Sequence, residues 1–296
     1  MLGVYTAIVE PKFFAADNFQ NILRQFGALS LASVGMTFVI ISGLFDLSIV
    51  GIFSLVSVVT LGLVGIIGAI PAMLLGMVLG ILCGIIDALC LVLAGARNDA
   101  EAVFITYGMG TVFSAVALMY CKGQTIRLSG GVSPLINFIG WGSYLYIPVS
   151  FFLFLIVMLI AHFFLSKTKT GTEIRMMGGN REAARLAGLL ISRNTVIVFA
   201  ILGLTATIGA IVNFTRTTTA AAGAGAGYEV NTILAVVIGG TRIKGGHGSV
   251  LRTTIGVFLV TILENALNMI GLSSYMKEAV KGLILILAIW LDYRRE

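Results

Sequence analysis

The stretch that decides the fold class is residues 47–95, which read LSIVGIFSLVSVVTLGLVGIIGAIPAMLLGMVLGILCGIIDALCLVLAG. Asp87 is the one charged residue in this run. A transmembrane helix needs about 20 consecutive apolar residues, so the stretch has room for two such helices. In the second, Gly76, Gly80 and Gly84 recur at four-residue spacing, a pattern that lets helices pack closely in lipid.

The rest of the chain has the same apolar character. Hydrophobic residues make up 58% of the 296 residues and charged residues 11%, and the mean hydropathy is +1.04. Soluble domains are about 45–50% apolar and about 25% charged. The composition therefore excludes a soluble enzyme, a nucleic-acid binder with a basic face and a disordered chain. We expect an all-α, polytopic transmembrane helical bundle that occupies residues 1–296 as one domain.

Polar breaks divide the apolar runs into about nine to ten predicted spans. The predicted spans are 1–9 (partial), 26–44, 47–68, 71–95, 102–121, 144–165, 196–214, 229–241, 250–270 and 277–292. The first run is too short to cross a membrane. The sequence leaves open whether it is the end of a trimmed first helix.

Lysine and arginine are concentrated in residues 166–194, and the chain ends with Arg294 and Arg295 before Glu296. Cytoplasmic loops of membrane proteins carry an excess of these residues. Both segments are therefore predicted to be cytoplasmic, and four spans separate them. Counting spans also places the loop with Arg97 in the cytoplasm. The loops predicted to be external are residues 11–25, 122–143 with its Gly130-Gly131 turn, and 217–227.

Two breaks in the apolar pattern, residues 42–48 and 239–249, introduce glycine and polar residues between apolar runs. They are either cytoplasmic turns or unwound backbone inside the bundle, which requires cover by protein or a water-filled cavity. Their rough similarity hints at an internal duplication of the kind that many transporters have. Asp46 in the first break either accepts backbone N–H groups at the start of the next helix or lines a pathway.

The sequence contains no motif for catalysis. We find no phosphate-binding Gly-x-x-x-x-Gly-Lys-Ser/Thr loop, no metal-ligand pair and no nucleophile beside a base. The spacing of Cys83, Cys90 and Cys121 fits neither a zinc nor a redox motif. We predict that the chain is not an enzyme and binds no cofactor or metal. Any energy for transport must then come from an ion gradient or a partner.

Residues 178–188 form the most specific local pattern in the chain. Asn180 can cap a helix that begins at Arg181, Glu182 suits its first turn, and Gly188 can end it. A short capped helix in a cytoplasmic loop either inserts into a groove of a partner or rests among lipid headgroups. The residues that make up the pattern are Gly178, Gly179, Asn180, Arg181, Glu182, Ala183, Ala184 and Gly188.

The motif Glu182-Ala183-Ala184-x-x-x-Gly188 resembles the EAA–G coupling loop of ABC-importer permeases. More specifically, the chain resembles the ribose/galactose/xylose-type sugar permeases from about residue 11 to its C-terminus. The stretches that match in order include Pro11-x-Phe13, Asn18-Phe19-x-Asn21-Ile22-Leu23-Arg24-Gln25, Asp46-Leu47-Ser48, Gly178-Gly179-Asn180, Gly227-Tyr228-Glu229 and Ala235-Val236-Val237-Ile238-Gly239-Gly240-Thr241.

The resemblance implies a permease subunit in a bacterial cytoplasmic (inner) membrane, with its C-terminus in the cytoplasm. It would carry a monosaccharide or related polyol inward by alternating access. The implied partners are a second permease subunit, identical or homologous, an ABC ATPase subunit that binds ATP and Mg²⁺, and an extracytoplasmic sugar-binding protein. An ion-gradient-driven secondary transporter or a channel is the alternative function.

This chain departs from the family at several positions. It has Gly43-Leu44-Phe45-Asp46 where the family usually has Gly-Gly-Ile-Asp, and Asp87-Ala88 where Asn-Gly is usual.

Polar residues within the apolar runs are candidates for the pathway, since charge facing lipid is costly. Glu229 is expected at a helix N-terminus, where its charge is stabilised. Glu264, Asn265 and Asn268 lie on about one turn and either form interhelical hydrogen bonds, which we favour, or contact sugar hydroxyls. The candidate pathway or broken-helix residues are Phe45, Asp46, Ser48, Glu229, Gly239, Gly240, Asn265 and Asn268.

Overall fold

A computed structural model describes residues 11–95, 99–128 and 133–293. Several sequence predictions fall outside these ranges. They are the partial span 1–9, the position of Arg97, the Gly130-Gly131 turn and the charged C-terminal residues 294–296.

The described chain is a helical bundle, as predicted. A 3₁₀ turn, Pro11–Phe14, precedes twelve helices. The helices are α1 Ala16–Ile41, α2 Ile49–Ile67, α3 Ala69–Leu93, α4 Asp99–Tyr120, α5 Pro134–Trp141, α6 Val149–Lys167, α7 Lys169–Gly179, α8 Arg181–Leu186, α9 Ile191–Thr217, α10 Tyr228–Ile238, α11 Val250–Met269 and α12 Ser274–Tyr293.

Seven helices in the described ranges are long and apolar enough to cross a membrane, fewer than the predicted nine to ten spans. They are α1, α2, α3, α4, α6, α9 and α11. The predicted span 229–241 is wrong, because α10 has 11 residues and extends only about 16 Å, half of a hydrocarbon core of about 30 Å. The predicted span 277–292 corresponds to α12, which has sufficient length but carries Lys277, Glu278 and Lys281 near its start.

The centre of the bundle is α1, in which every residue from Phe26 to Ile41 is buried. It packs against α6, α9, α10 and α11, and α3 packs against α9. Glycines permit the α3–α9 contact: a Cβ added to Gly84 would lie 2.1 Å from the carbonyl oxygen of Phe199. The predicted role of the glycine stripe in close helix packing is therefore present in the structure.

The bundle has two distinct ends. At one end, which we call the α7–α8 end, α7 contacts Gly43 and residues of the 239–249 break, and α8 follows α7 directly. At the other, the hairpin end, two short antiparallel pairs form. They join β1 (Ile126–Arg127) to β4 (Thr219–Ala220) and β2 (Ser143–Tyr144) to β3 (Ile147–Pro148).

The first break lies inside the bundle. Gly68 alone joins the antiparallel helices α2 and α3, which have 19 and 25 residues. At 1.5 Å per residue, α2 therefore begins about 9 Å short of the α7–α8 end. Non-helical residues 44–48 occupy that gap, and Leu44, Asp46 and Ser48 are buried.

Residues 218–227 also enter the bundle, whereas the sequence analysis predicts residues 217–227 as an external loop. Their first residues pair with β1 at the hairpin end. The backbone N–H of Gly225 donates to Ser54 Oγ of α2 (3.0 Å), and the ring of Tyr228 lies 4.1 Å from that of Phe53. The segment thus returns to the depth of the first turns of α2, and α10 continues from there to the α7–α8 end.

Candidate functional site

The helix predicted from residues 178–188 is present as α8. The side-chain oxygen Oδ1 of Asn180 accepts from the backbone N–H of Ala183 (2.9 Å) and caps the helix. Glu182 lies in the first turn and forms an ion pair of 2.6 Å with Arg185. The chain leaves the helix through Gly188, whose φ of 83° favours glycine.

One side of α8 is apolar and uncovered. Ala183 and Ala187 are exposed, and Leu186 is 79% exposed. Ala184 faces the protein and is buried. This small apolar surface projects from the α7–α8 end.

A three-way contact attaches α7 to both breaks. The backbone N–H of Gly246 in the second break donates to the carbonyl of Ile41, where α1 ends (2.8 Å). Gly178 of α7 lies against this bond, since an added Cβ would be 1.8 Å from Ile41 O and 2.7 Å from Gly246 N. The backbone of Gly43 in the first break also faces Gly178. We call the contact of Gly178 with these residues the glycine junction.

Arg175 on α7 reinforces this attachment, because its guanidinium donates to the carbonyl of Gly248 (3.0 Å). Burial lowers the pKa of Arg175 below its ordinary value, and the positive charge of Arg252 lowers it further. Asn194 on α9 donates to Glu173 on α7 (3.1 Å). Motion of α7 would therefore be transmitted to α1, α9 and the second break.

Asp46 holds the start of α2. Its carboxylate accepts from the backbone N–H groups of Ser48 (3.2 Å) and Ile49 (2.9 Å) and from Ser48 Oγ (2.6 Å). Phe45 beside it is half-buried. Of the two interpretations of Asp46, the contacts favour the one in which it fixes the helix start.

The second break is a turn at the α7–α8 end. Gly239 ends α10 and packs on α11, where an added Cβ would lie 2.8 Å from Arg252 O. Gly240 follows with φ of 78°. Both glycines therefore serve the helix end and its close packing.

A polar cavity of about 400 Å³ lies in the half of the bundle toward the hairpin end. Five helices and the segment before α10 contribute to its wall. The lining residues are Gln25, Ala28, Leu29, Asn213, Arg216, Ala226, Gly227, Tyr228, Asn231, Thr261, Glu264, Asn268, Ser274, Lys277, Glu278 and Lys281. Of the residues weighed for a pathway role, Glu264 and Asn268 line it.

Glu264 organises the wall of this cavity. Its Oε1 accepts from Asn231 Nδ2 (3.1 Å) and from Lys281 Nζ (2.9 Å). Lys277 donates in turn to Asn268 Oδ1. Asn231 is only 7% exposed, and its Oδ1 has no hydrogen-bond partner in the described part of the chain. An unpaired buried acceptor is costly, and this one belongs to a residue of the cavity wall.

Glu229 and Asn265 are not cavity-lining residues. Glu229 lies in the first turn of α10, the helix-start position predicted for it. Asn265 exchanges two hydrogen bonds of 3.0 Å with Asn18, which ties α11 to α1. The geometry of Asn265 agrees with the interhelical interpretation that the sequence analysis favours.

Sequence reasoning missed Arg216, Tyr228 and Asn231 as cavity residues. The signal that could have found them is the run of small residues before Tyr228, because backbone that approaches a helix closely tolerates no large side chains. At Gly225 an added Cβ would lie 2.2 Å from the carbonyl oxygen of Val50. Within the described residues, no cluster of three or more His, Cys, Asp or Glu side chains could hold a metal ion.

Comparison with known proteins finds one matching family and several similar permeases. A family described as "Branched-chain amino acid transport system / permease component" matches residues 18–289. The ribose import permease protein RbsC of Escherichia coli (strain K12) is 32% identical over 100% of this chain and 92% of its own length. For RbsC of Bacillus subtilis (strain 168) the values are 33%, 100% and 90%.

The xylose transport system permease protein XylH of Escherichia coli (strain K12) is more distant. It is 29% identical over 97% of this chain and 88% of its own length. No solved structure matches this chain.

Proposed function

This chain belongs to the ABC-importer permease family that includes the ribose and xylose permeases, and we propose that it forms the membrane pathway for a monosaccharide or related polyol. The observation that carries the proposal is the exposed helix α8, joined through α7 to both breaks of the bundle. Such an arrangement can convert work done outside the membrane into movement of the helices.

The proposed energy source is an ABC ATPase subunit that holds ATP and Mg²⁺ and docks on α8. Leu186 with its two alanine neighbours would enter a groove of that partner. A displacement of α8 and α7 reaches Gly246 and Ile41 through the glycine junction. It then reaches α10, whose far end carries Tyr228 and Asn231 into the cavity. Rocking of packed helices around a fixed site is a common form of alternating access.

The chemistry of the cavity supports a polyhydroxylated cargo. A sugar offers hydroxyl groups that both donate and accept, and the wall presents amide, hydroxyl, carboxylate and ammonium groups. Asn231 Oδ1 would accept from one sugar hydroxyl. An extracytoplasmic sugar-binding protein would deliver the sugar at the hairpin end, and a second permease subunit would complete the transporter.

Charge supports the proposed orientation in a bacterial cytoplasmic (inner) membrane. Residues 166–194 at the α7–α8 end carry Lys167, Lys169, Arg175, Arg181, Arg185 and Arg193 against Glu173 and Glu182. The positive-inside rule assigns that end to the cytoplasm. From there α9, residues 218–227 with α10, α11 and α12 make four passages, so the C-terminus is cytoplasmic as well.

The proposal is tested by reconstituting the permease with its ATPase and binding protein in liposomes and measuring sugar uptake with and without ATP. Uptake is expected only with ATP. The substitutions Glu182→Lys and Gly188→Arg should abolish uptake and weaken co-purification of the ATPase, while membrane insertion is unchanged. Loss of the exposed Glu182–Arg185 ion pair contributes little by itself.

Asp17→Lys is a matched control, because Asp17 is also an exposed acidic residue in the first turn of a helix but lies at the hairpin end. It should leave ATPase co-purification intact. Sugar uptake on an ion gradient without the ATPase would overturn the proposal and favour a secondary transporter.

A further inference from the structure

The hydroxyl of Ser48 lies between two buried carboxyl groups. Its Oγ is 2.6 Å from Asp46 Oδ1 and 2.6 Å from Asp87 Oδ2. Both aspartates are 0% exposed. A serine hydroxyl has one proton and can donate to one of them. The second contact is as short as the first, so it needs a donor on the carboxyl side.

The hydrogen bonds distinguish the two aspartates. Asp46 accepts two backbone N–H groups, from Ser48 and Ile49, in addition to the hydroxyl. These donors all suit an ionised carboxylate. Asp87 has only the contact with Ser48, and its Oδ1 is buried without a partner in the described part of the chain. Asp87 is therefore the group that must donate.

We propose that Asp46, Ser48 and Asp87 form a site that binds one proton, which Asp87 carries and donates to Ser48 Oγ. The hydroxyl of Ser48 then donates to the ionised Asp46. This assignment gives each 2.6 Å contact one donor and one acceptor, and it leaves one negative charge, surrounded by N–H and O–H donors. The three residues do not line the sugar cavity, and their assignment does not rest on the proposed transport function.

A metal ion does not fit between these three oxygens. Hard cations bind oxygen at about 2.0–2.6 Å, which places neighbouring ligand oxygens about 3 Å or more apart. The two observed separations of 2.6 Å lie instead in the range of O–H···O hydrogen bonds. The geometry therefore favours a proton over a metal ion.

The side chains packed around Asp46 and Asp87 add few titratable groups of their own. Cys83 lies one turn before Asp87 on α3 and is the neighbouring titratable side chain. From α4, Thr106 Oγ1 accepts from the backbone N–H of Leu47 (3.1 Å), and a hydroxyl of this kind stays neutral.

Loss of the proton would leave two carboxylates near the start of α2, both within hydrogen-bond distance of the one Ser48 hydroxyl. Their repulsion and the lost donor would displace residues 46–48 and the first turn of α2. Val50 in that turn lies against Gly225, and Ser54 in the next turn accepts from the backbone N–H of Gly225. Since the site is intact below the pKa of Asp87 and is lost as pH rises through it, uptake should fall on the alkaline side.

The direct test uses purified permease and infrared spectroscopy at neutral pH. A protonated carboxyl group gives a carbonyl stretching band distinct from that of a carboxylate, and the band shifts in D₂O. The wild type should show such a band, Asp87→Asn should lack it, and the control Asp17→Asn should retain it. A wild type without the band, or a band unchanged in Asp87→Asn, would overturn the proposal.

The second test measures sugar uptake against pH, with each profile normalised to its own maximum. In Asp87→Asn the side-chain amide can donate to Ser48 Oγ without titrating. Its profile should stay level over the alkaline range in which the wild type declines, with the same ATPase and binding protein present in both. Identical profiles would overturn the linkage of this proton to transport.

Discussion

The glycine junction at Gly178 makes a sharp prediction about transmission between α7 and the bundle. In Gly178→Ala the new Cβ would lie 1.8 Å from Ile41 O and 2.7 Å from Gly246 N, both backbone atoms. The two strands of chain must separate, which breaks the 2.8 Å hydrogen bond from Gly246 to Ile41. Gly179, the next residue in the same helix, has no atom within 4 Å of an added Cβ.

These contacts give the size of the effect. Overpacking costs about 1–3 kcal/mol, and a lost hydrogen bond costs about 0.5–1.5 kcal/mol. The expected destabilisation of Gly178→Ala relative to Gly179→Ala is therefore about 1.5–4.5 kcal/mol. Both substitutions gain about the same helix propensity, roughly 0.5–1 kcal/mol, so the comparison isolates the contact.

The assay combines thermal unfolding of each purified variant with ATP-driven sugar uptake. Gly178→Ala should unfold at a lower temperature and transport poorly, yet it should still co-purify with the ATPase because α8 is unchanged. Gly179→Ala should match the wild type in all three measurements. Equal unfolding temperatures and equal uptake for the two variants would refute the argument that the glycine junction transmits movement.

Two further predictions concern the segment before α10 and the cap of α8. Gly225→Val should displace residues 218–227 from their packing against α2, because an added Cβ would lie 2.2 Å from the α2 backbone, and sugar uptake should be lost. Gly223→Ala, with open space around it, should transport normally. Equal uptake by both variants would contradict this prediction. Asn180→Ala should destabilise α8 by about 1 kcal/mol through loss of its N-cap, and it should reduce co-purification of the ATPase. Asn180→Asp, which can still cap the helix, should preserve that co-purification. Equal co-purification by both variants would exclude a role for the cap.

The features that the sequence predicted well are governed by local interactions or by bulk hydropathy. The cap at Asn180 and the glycine stop at Gly188 lie within one short segment, so their spacing is sufficient to define α8. The apolar helices could be predicted because a helix that crosses the hydrocarbon core needs about 20 consecutive apolar residues. The packing role of Gly80 and Gly84 follows from helical spacing.

The features that the sequence misplaced depend on distant contacts. Gly225 packs against Ser54, which lies 171 residues earlier in the chain. The run of small residues around Gly225 indicates a close backbone approach, but it carries no periodicity that would identify α2 as the partner. Hydropathy also does not distinguish a half-length helix such as α10 from a helix that crosses the whole membrane, because polar residues at both ends of α10 obscure where it begins and ends. The cavity residues Arg216 and Asn231 come together only because this segment turns inward.

The inward path of residues 218–227 has a consequence for the order in which the protein is made. A segment of 11 helical residues preceded by non-helical backbone is too short and too polar to partition into lipid by itself. At Gly225 and Tyr228 the segment packs against α2, which the ribosome produces long before it. Part of the packing surface for this segment is therefore made before the segment emerges, and the part on α11 is made after it; we expect that α2 must be inserted before α10 arrives. A chain whose α2 failed to insert would leave residues 218–238 outside the membrane, where a protease could cut them.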